Sequence, residues 1–217
     1  MMIVLDITGS MDWAIKSIDQ EVQLLVDHVK NGKLDVQFGI TVFRDELMRS
    51  PDDARAGITD DPFTFHFKGR PYTTDGAEIK RVLSLLKANG GGDGPENSFE
   101  GLRLAADAIC RPGATKVQIL ITDAEPKPWP MYEDNLAKTQ NHLLTKKVGE
   151  LFLITTDQHR PIYQKLWTKM GGAELRGEWH DIRNLSGKPG VFRTMIQNLE
   201  TRIFTAIADR EKREAEK

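Results

Sequence analysis

The stretch Met2-Ile3-Val4-Leu5-Asp6-Ile7-Thr8-Gly9-Ser10 decides the fold of this chain. Its apolar run is typical of a buried strand, and the glycine at position 9 marks a tight turn after the strand. Apolar residues then recur at helical spacing from Ile15 to Val29, and Asn31-Gly32 ends that pattern. A buried strand that leads through a turn into an amphipathic helix is the repeating unit of an α/β protein.

The rest of the chain repeats this alternation of strands and helices. Further strands are predicted at residues 35–43, 63–67, 116–122, 151–156 and 176–181. Further helices are predicted at residues 75–86, 98–109, 133–147, 160–169 and 192–207, whereas residues 46–62 are predicted to form a loop. This order favours a three-layer α/β fold with a doubly wound, mostly parallel sheet that is covered on both faces.

Composition limits the classes of protein that fit this chain. Its 217 residues, 39% of them hydrophobic, are enough for one domain with a full core. The 30 basic and 32 acidic side chains give a net charge of −2, which excludes nucleic-acid binding by bulk charge. The apolar runs are far shorter than the ~20 residues of a membrane span, and no signal peptide is visible. The single cysteine, Cys110, cannot form an internal disulfide, so we predict a cytoplasmic location.

Two of the predicted strands end at an aspartate. Asp6 ends the first strand, and Asp123 ends the fourth strand of the parallel series. In a doubly wound sheet these two strands are neighbours at the switch point, where such folds bind ligands. Thr8 and Ser10 follow in the same turn, so two hydroxyls and a carboxylate can face one centre. Such hard oxygen ligands suit Mg²⁺, Mn²⁺ or Ca²⁺ and not zinc; the alternative is that Ser10 is only the N-cap of the following helix.

Four short motifs together resemble a known family. Asp6-Ile7-Thr8-Gly9-Ser10 is similar to the Asp-x-Ser-x-Ser signature of the von Willebrand factor type A domain, whose metal-ion-dependent adhesion site uses that turn and two later loops. The stretch from Val117 to Asp123 resembles the strand of the third loop, and the stretch from Gly91 to Glu96 resembles the second loop of one branch. Phe43-Arg44-Asp45 is similar to a Tyr-Arg-Asp element of that branch. The resemblance extends over roughly residues 2–205.

The resemblance implies a fold, a ligand set and a function. The fold would have strand order 3-2-1-4-5-6 with residues 63–67 as an antiparallel edge, in a domain over residues 1–205 followed by a charged helical tail at 206–217. Asp6, Thr8, Ser10 and Asp123 would bind a divalent cation, with Mg²⁺ preferred over Mn²⁺ or Ca²⁺. The chain would then be a metal-dependent protein-binding module, either alone or as part of a longer protein or a complex.

The second loop departs from the commonest family pattern. Many members place a threonine there as a ligand, whereas this chain has Asp93 and Glu96, which resembles the integrin β arrangement. Glu96 would complete the site directly or through water, and Asp93 with Glu96 would be able to hold a second cation. A partner Asp or Glu side chain would take the open coordination position, although Glu96 reduces the positive field offered to that anion.

Three residues are predicted at the rim of the site, where they would contact a partner. Trp13 follows the turn and Trp129 lies in the loop after Asp123, so either aromatic ring would anchor a partner or only pack locally. Arg44 is expected near the same rim in an exposed ion pair with Asp45.

Other functions explain the same residues less well. A phosphate cradle at Gly90–Gly94 lacks the Gly-Lys-Ser/Thr ending, and a dinucleotide-binding turn needs more glycines than Gly9. A Mg²⁺-dependent phosphoryl hydrolase remains an alternative, and its nearest positive or basic groups are Arg44, Lys127 and His159. A scaffold domain with a degenerate site is the third interpretation, and it predicts no change in melting temperature with Mg²⁺ or EDTA.

Overall fold

A computed structural model of the chain provides the coordinates described below. It describes residues 1–31, 35–45, 50–91, 94–127, 132–170 and 173–185, with single residues at 194, 197, 198 and 201. Asp93 and Trp129 of the predicted site lie outside the described residues, as do the predicted tail at 206–217 and most of the predicted helix at 192–207.

A central sheet confirms the predicted topology. The strands, in chain order, are Met2–Asp6 (β1), Gly39–Phe43 (β2), Phe63–Thr64 (β3), Lys116–Thr122 (β4), Val148–Thr155 (β5), Thr168–Met170 (β6), Ala173–Leu175 (β7) and Trp179–Asp181 (β8). The central sheet has the order β3-β2-β1-β4-β5-β8, and β6 and β7 form a separate hairpin. β3 pairs antiparallel with β2, and the other neighbours in the central sheet pair parallel. Because β6 and β7 lie outside the central sheet, β8 takes the place of the sixth strand in the predicted order 3-2-1-4-5-6. The strand order and the antiparallel edge are therefore both as expected.

The side chains of β1 alternate between two apolar cores. Ile3 and Leu5 pack into one core, and Met2 and Val4 pack into the other. All of these side chains are buried. A strand covered on both faces has no solvent side, which explains why its sequence is an unbroken apolar run rather than an alternating one.

Helices cover both faces of the central sheet. They are Asp12–Asn31 (α1), Pro51–Ala56 (α2), Gly76–Leu85 (α3), Ser98–Asp107 (α4), Tyr132–Thr145 (α5) and Arg160–Tyr163 (α6). Short 3₁₀ turns occupy Gly9–Met11, Gln164–Leu166 and Ile182–Leu185. α1 contacts α3, and their Ile18 and Ile79 lie in the same core as Ile3. α4 contacts α5, and their Leu102 and Leu143 lie in the opposite core, so the predicted three layers are present.

The structure corrects two predicted elements. The predicted loop at 46–62 contains α2, because Ser50 and Asp53 form a reciprocal capping box at its N-terminus. The predicted helix at 160–169 ends at Tyr163 and a 3₁₀ turn, after which the chain enters the β6–β7 hairpin. Trp167 is extended there, and its indole N–H donates to the carbonyl oxygen of Leu151 at 3.0 Å, which holds the chain away from a helical path.

No helix among the described residues combines the length and the apolar character that crossing a membrane requires.

Candidate metal centre

The turn after β1 brings its polar side chains together. Thr8 has an extended backbone, so both its N–H and its hydroxyl face back to Asp6. The Thr8 N–H donates to Asp6 Oδ1 at 2.9 Å, and Thr8 Oγ1 donates to the same oxygen at 2.7 Å. Ser10 Oγ lies 3.2 Å from Thr8 Oγ1. A carboxylate and two hydroxyls therefore converge within one turn, as the sequence predicts.

The neighbouring strand β4 supplies the second carboxylate of this cluster. Ser10 Oγ donates to Asp123 Oδ1 at 3.0 Å, so Ser10 is engaged across the sheet. Thr122, the last residue of β4, donates from Oγ1 to Asp6 Oδ2 at 2.6 Å. Because β1 and β4 are adjacent and parallel, their carboxyl ends meet at one edge of the sheet. The structure thus joins Asp6, Thr8, Ser10 and Asp123 in one hydrogen-bonded chain; their role as metal ligands stays a prediction.

The glycine-rich loop places Glu96 beside this cluster. The Gly9 N–H donates to the carbonyl oxygen of Gly90 at 3.1 Å, which fixes the loop against the first turn. A Cβ added to Gly91 would lie 3.1 Å from Glu96 Oε1 and 3.3 Å from Thr8 Cβ. Gly91 therefore sits between Thr8 and Glu96, and the Glu96 side chain is next to the Asp6–Ser10 turn.

Backbone hydrogen bonds also join the second and third loops. The Glu96 N–H donates to the carbonyl oxygen of Glu125, and the Lys127 N–H donates to the carbonyl oxygen of Glu96, both at 2.8 Å. These bonds hold the segment after β4 alongside the segment before α4. The backbone of Glu96 is consequently held on both sides, and Glu96 is only 3% exposed.

A cavity of about 490 Å³ opens above the cluster. Its walls come from four segments of the chain that meet at the carboxyl edge of the sheet. The lining residues are Thr8, Ser10, Gly90, Gly91, Gly94, Glu96, Asp123, Ala124, Glu125, Gln158 and His159. Asp6 is not among these lining residues, because its side chain is fully buried below them.

Burial dominates the electrostatics of Asp6. It raises the pKa of the carboxyl to about 6, against hydrogen bonds from Thr122 and Thr8 that lower it, and the nearby charge of Asp123 raises it further. A bound cation would favour the ionised form and offset that desolvation. The donor set consists of carboxylate and hydroxyl oxygens, which fits a hard divalent cation. Among the described residues, no three His, Cys, Asp or Glu side chains form a metal-binding group.

The structure contradicts the predicted position of Arg44 at the exposed rim of the site. The residue is 1% exposed, and its guanidinium pairs with Asp53 at 2.8 Å and Asp61 at 3.8 Å instead of Asp45. It also donates from Nη1 to Asn89 Oδ1. Two carboxylates below the surface neutralise the guanidinium, which is why the charge is buried. Arg44 therefore cannot contact a partner in this conformation.

Lys127, His159 and Trp13, which were also considered for the site, lie in different surroundings. Lys127 pairs with Asp45. Of the three groups considered for a hydrolase, only His159 lines the cavity, and no Lys or Arg is among the described lining residues. Trp13 is 39% exposed at the start of α1 and is not among the residues that line the cavity, so its role at a rim stays a prediction.

Several polar contacts around the site have no clear sequence signal. Thr122 binds Asp6, yet a threonine at a strand end is common and points to no partner. The fully buried Tyr163 donates from its hydroxyl to the Ala124 carbonyl oxygen at 3.0 Å and lies 2.8 Å from Ser98 Oγ. Asn89 is the acceptor for buried Arg44. These pairs are far apart along the chain, so only the folded structure reveals them.

Comparison with known proteins supports the fold and the family that the sequence resembles. The family model of the von Willebrand factor A domain matches residues 1–192. An alpha-protein kinase, vwkA of Dictyostelium discoideum, is 32% identical over 126 residues, which are 57% of this chain and 18% of that protein. The chain therefore corresponds to less than a fifth of that relative.

Solved structures share the fold at low sequence identity. Proximal thread matrix protein 1 from the mussel byssus has a TM-score of 0.56 and 16% identity, over 85% of this chain and 44% of that one. The SpRpn10 VWA domain has a TM-score of 0.54 and 12% identity, over 85% of this chain and 91% of that one. Identities this low establish a common fold and nothing more.

Proposed function

Because the chain belongs to the von Willebrand factor A domain family, we propose that it is a metal-dependent protein-binding module. Domains of this family are in general protein-interaction modules. The kinase in the relative's name belongs to a protein of which the matched part is 18%, so that activity is not carried over to this chain.

The hydrogen-bonded chain from Asp6 through Thr8 and Ser10 to Asp123 is the observation that supports the proposal. It gathers two carboxylates and two hydroxyls through contacts of 2.7 to 3.2 Å. In the proposed complex these oxygens hold Mg²⁺, and Glu96 completes the site directly or through water. The cation then supplies an electrophilic centre at the floor of the cavity, to which a partner oxygen can bind.

The partner group in this proposal is an Asp or Glu side chain. A divalent cation attracts a carboxylate, and the cavity of about 490 Å³ leaves room for a side chain to enter. Glu96 and Glu125 line the same cavity and weaken that attraction, so the proposal predicts modest affinity that depends strongly on the metal. The second cation predicted at Asp93 and Glu96 remains a separate prediction, because Asp93 is outside the described residues.

Titration with Mn²⁺ followed by electron paramagnetic resonance tests the metal site. Wild type should bind at least one ion, and D123A should lose the ion held by Asp6, Thr8, Ser10 and Asp123, because the substitution removes a half-buried carboxylate without disturbing the core. D107N is the matched control: Asp107 is a carboxylate at the far end of α4, paired with Lys146. Equal binding by wild type and D123A would contradict the proposed site.

A pull-down with Mg²⁺, with EDTA and with D123A then tests the binding function. We expect a partner that is captured only by wild type in Mg²⁺. Replacing the partner's contacting Glu by Gln should abolish that capture. Capture that is equal with EDTA would show that the interaction does not use the metal.

A further inference from the structure

Asn89 connects the buried Arg44 to the Asp6–Ser10 turn. Its Oδ1 accepts from Arg44 Nη1, and its Nδ2 donates to Ser50 Oγ at 3.4 Å. Its backbone N–H donates to the carbonyl oxygen of Ile7 at 3.0 Å. The side chain of Asn89 is therefore held on one side while its backbone holds the turn on the other.

The next two residues transmit this position to the site. The Gly90 carbonyl accepts from the Gly9 N–H at 3.1 Å, in the middle of the turn that carries Thr8. Gly91 follows and lies between Thr8 and the Glu96 carboxylate. A displacement of Asn89 would consequently move the loop that separates these two side chains.

Arg44 is a rigid support for Asn89. Its guanidinium binds both oxygens of Asp53, at 2.8 and 3.4 Å, and its backbone N–H donates to Asp61 Oδ1 at 2.9 Å. A planar guanidinium bound at both ends has little freedom to turn. The Arg44 side chain is itself buried, so little water reaches the guanidinium that holds Asn89.

We infer that Asn89, fixed by Arg44, is a positioning residue of the candidate metal centre that sets the spacing between the Thr8 and Glu96 side chains on either side of Gly91. The inference rests on the proposed metal-binding function. Asn89 does not itself contact the cation; it acts through the backbone of Gly90 and Gly91. This gives the Phe43-Arg44-Asp45 element a role beneath the site instead of at its rim.

The first test measures Mn²⁺ affinity in N89A. The variant loses both side-chain bonds of Asn89 and keeps the backbone N–H of residue 89, and we expect about a tenfold weaker affinity, at the low end for residues that support metal ligands. T139V is the matched control, because Thr139 accepts from the mostly buried Arg103 at 2.6 Å between α4 and α5. T139V should lose stability yet bind Mn²⁺ as wild type does, when both are measured well below their melting temperatures.

A second readout needs no metal. Hydrogen exchange of the Gly9 amide reports its bond to the Gly90 carbonyl, and we expect faster exchange in N89A than in wild type or T139V. Unchanged Gly9 exchange together with unchanged Mn²⁺ affinity in N89A would overturn the inference. If wild type itself binds no Mn²⁺, the proposed function fails, and the Gly9 exchange alone then decides whether Asn89 positions the loop.

Discussion

A methyl group at position 91 would meet Glu96 Oε1 at 3.1 Å and Thr8 Cβ at 3.3 Å. Gly91 also has a φ of +85°, a left-handed conformation that costs an L-residue about 1–2 kcal/mol. We therefore expect G91A to lose stability and to bind Mn²⁺ more weakly, because the added methyl group pushes Thr8 and Glu96 apart.

G113A separates these two effects. Gly113 has a φ of +76°, and nothing lies within 4 Å of an added Cβ. Both variants should lose a similar free energy of unfolding in urea, but only G91A should weaken Mn²⁺ binding in calorimetry. A G91A protein with wild-type affinity would show that the Thr8–Glu96 spacing is unimportant.

Asp61 makes stability depend on pH. Burial raises the pKa of its carboxyl to about 6, although Arg44 lowers it through a backbone hydrogen bond and its charge; Asp45 and Asp53 raise it further. The unfolded chain has an Asp pKa of about 3.9, so the native state binds the proton more tightly. The stabilising contribution is fully present below about pH 4 and is lost as the pH rises through about 6.

D61N removes this titration and keeps an oxygen that can accept from the Arg44 N–H. The stability of wild type relative to D61N should fall between about pH 4 and pH 6, by at most about 1.4 kcal/mol per pH unit. Urea unfolding at several pH values measures the difference. A difference that is constant over this range would contradict the raised pKa.

At the scale of the element, α6 is tied to two site loops by one hydroxyl. Tyr163 reaches the Ala124 carbonyl in the loop after β4 and Ser98 at the start of α4. Y163F should keep the edge-to-face contact with Phe99, whose ring centroid is 6.2 Å away. It should lose about 1–2 kcal/mol of unfolding free energy, because buried Ser98 then loses a partner.

Y72F is a suitable control for the tyrosine variant. Tyr72 is also buried, and its hydroxyl makes no hydrogen bond within the described part of the chain. Removing that hydroxyl should change the free energy of unfolding by much less. Similar losses in Y163F and Y72F would indicate that the hydroxyl bridge from α6 does not stabilise the loops.

Elements were predictable where one signal was strong and local. The apolar run of β1 and the Asp75 cap of α3 are both read from adjacent residues, and the Asp75 Oδ1 does accept from the Ala77 N–H at 2.9 Å. The sequence does not predict the short helix α2, since its stability comes from the Ser50–Asp53 capping box and the bond of Asp53 to Arg44. A polar segment with prolines resembles a loop unless its distant arginine partner is known.

The candidate metal centre likewise contains residues that the sequence predicts and contacts that it does not. The sequence predicts that Asp6, Thr8, Ser10 and Asp123 converge, because the parallel strand order brings two strand ends together, and their role as metal ligands stays a prediction. The buried state of Arg44 could not be predicted, since it depends on carboxylates that only the fold brings near.

At the scale of the whole molecule, a net charge of −2 conceals a local excess of negative charge. Glu96, Asp123 and Glu125 line one cavity above buried Asp6, and within the described residues no Lys or Arg lines it with them. A cation that binds only the native state should stabilise the fold by about 2.7 kcal/mol at a hundredfold excess over its Kd. Urea unfolding with Mg²⁺ or with EDTA measures this.

D123A should show no such response to Mg²⁺, and D107N should respond as wild type does. A wild-type protein whose unfolding is the same with Mg²⁺ and with EDTA would favour the scaffold interpretation, in which the site is degenerate.

The loops at the carboxyl edge are joined largely by main-chain hydrogen bonds, from Gly9 to Gly90, Asn89 to Ile7, and Glu96 to Glu125. Such bonds do not depend on which side chain a residue carries. Side chains that line the cavity can therefore be exchanged while these main-chain bonds are kept. The loop framework of this chain is therefore insensitive to many side-chain substitutions at the edge of the sheet where the cavity opens.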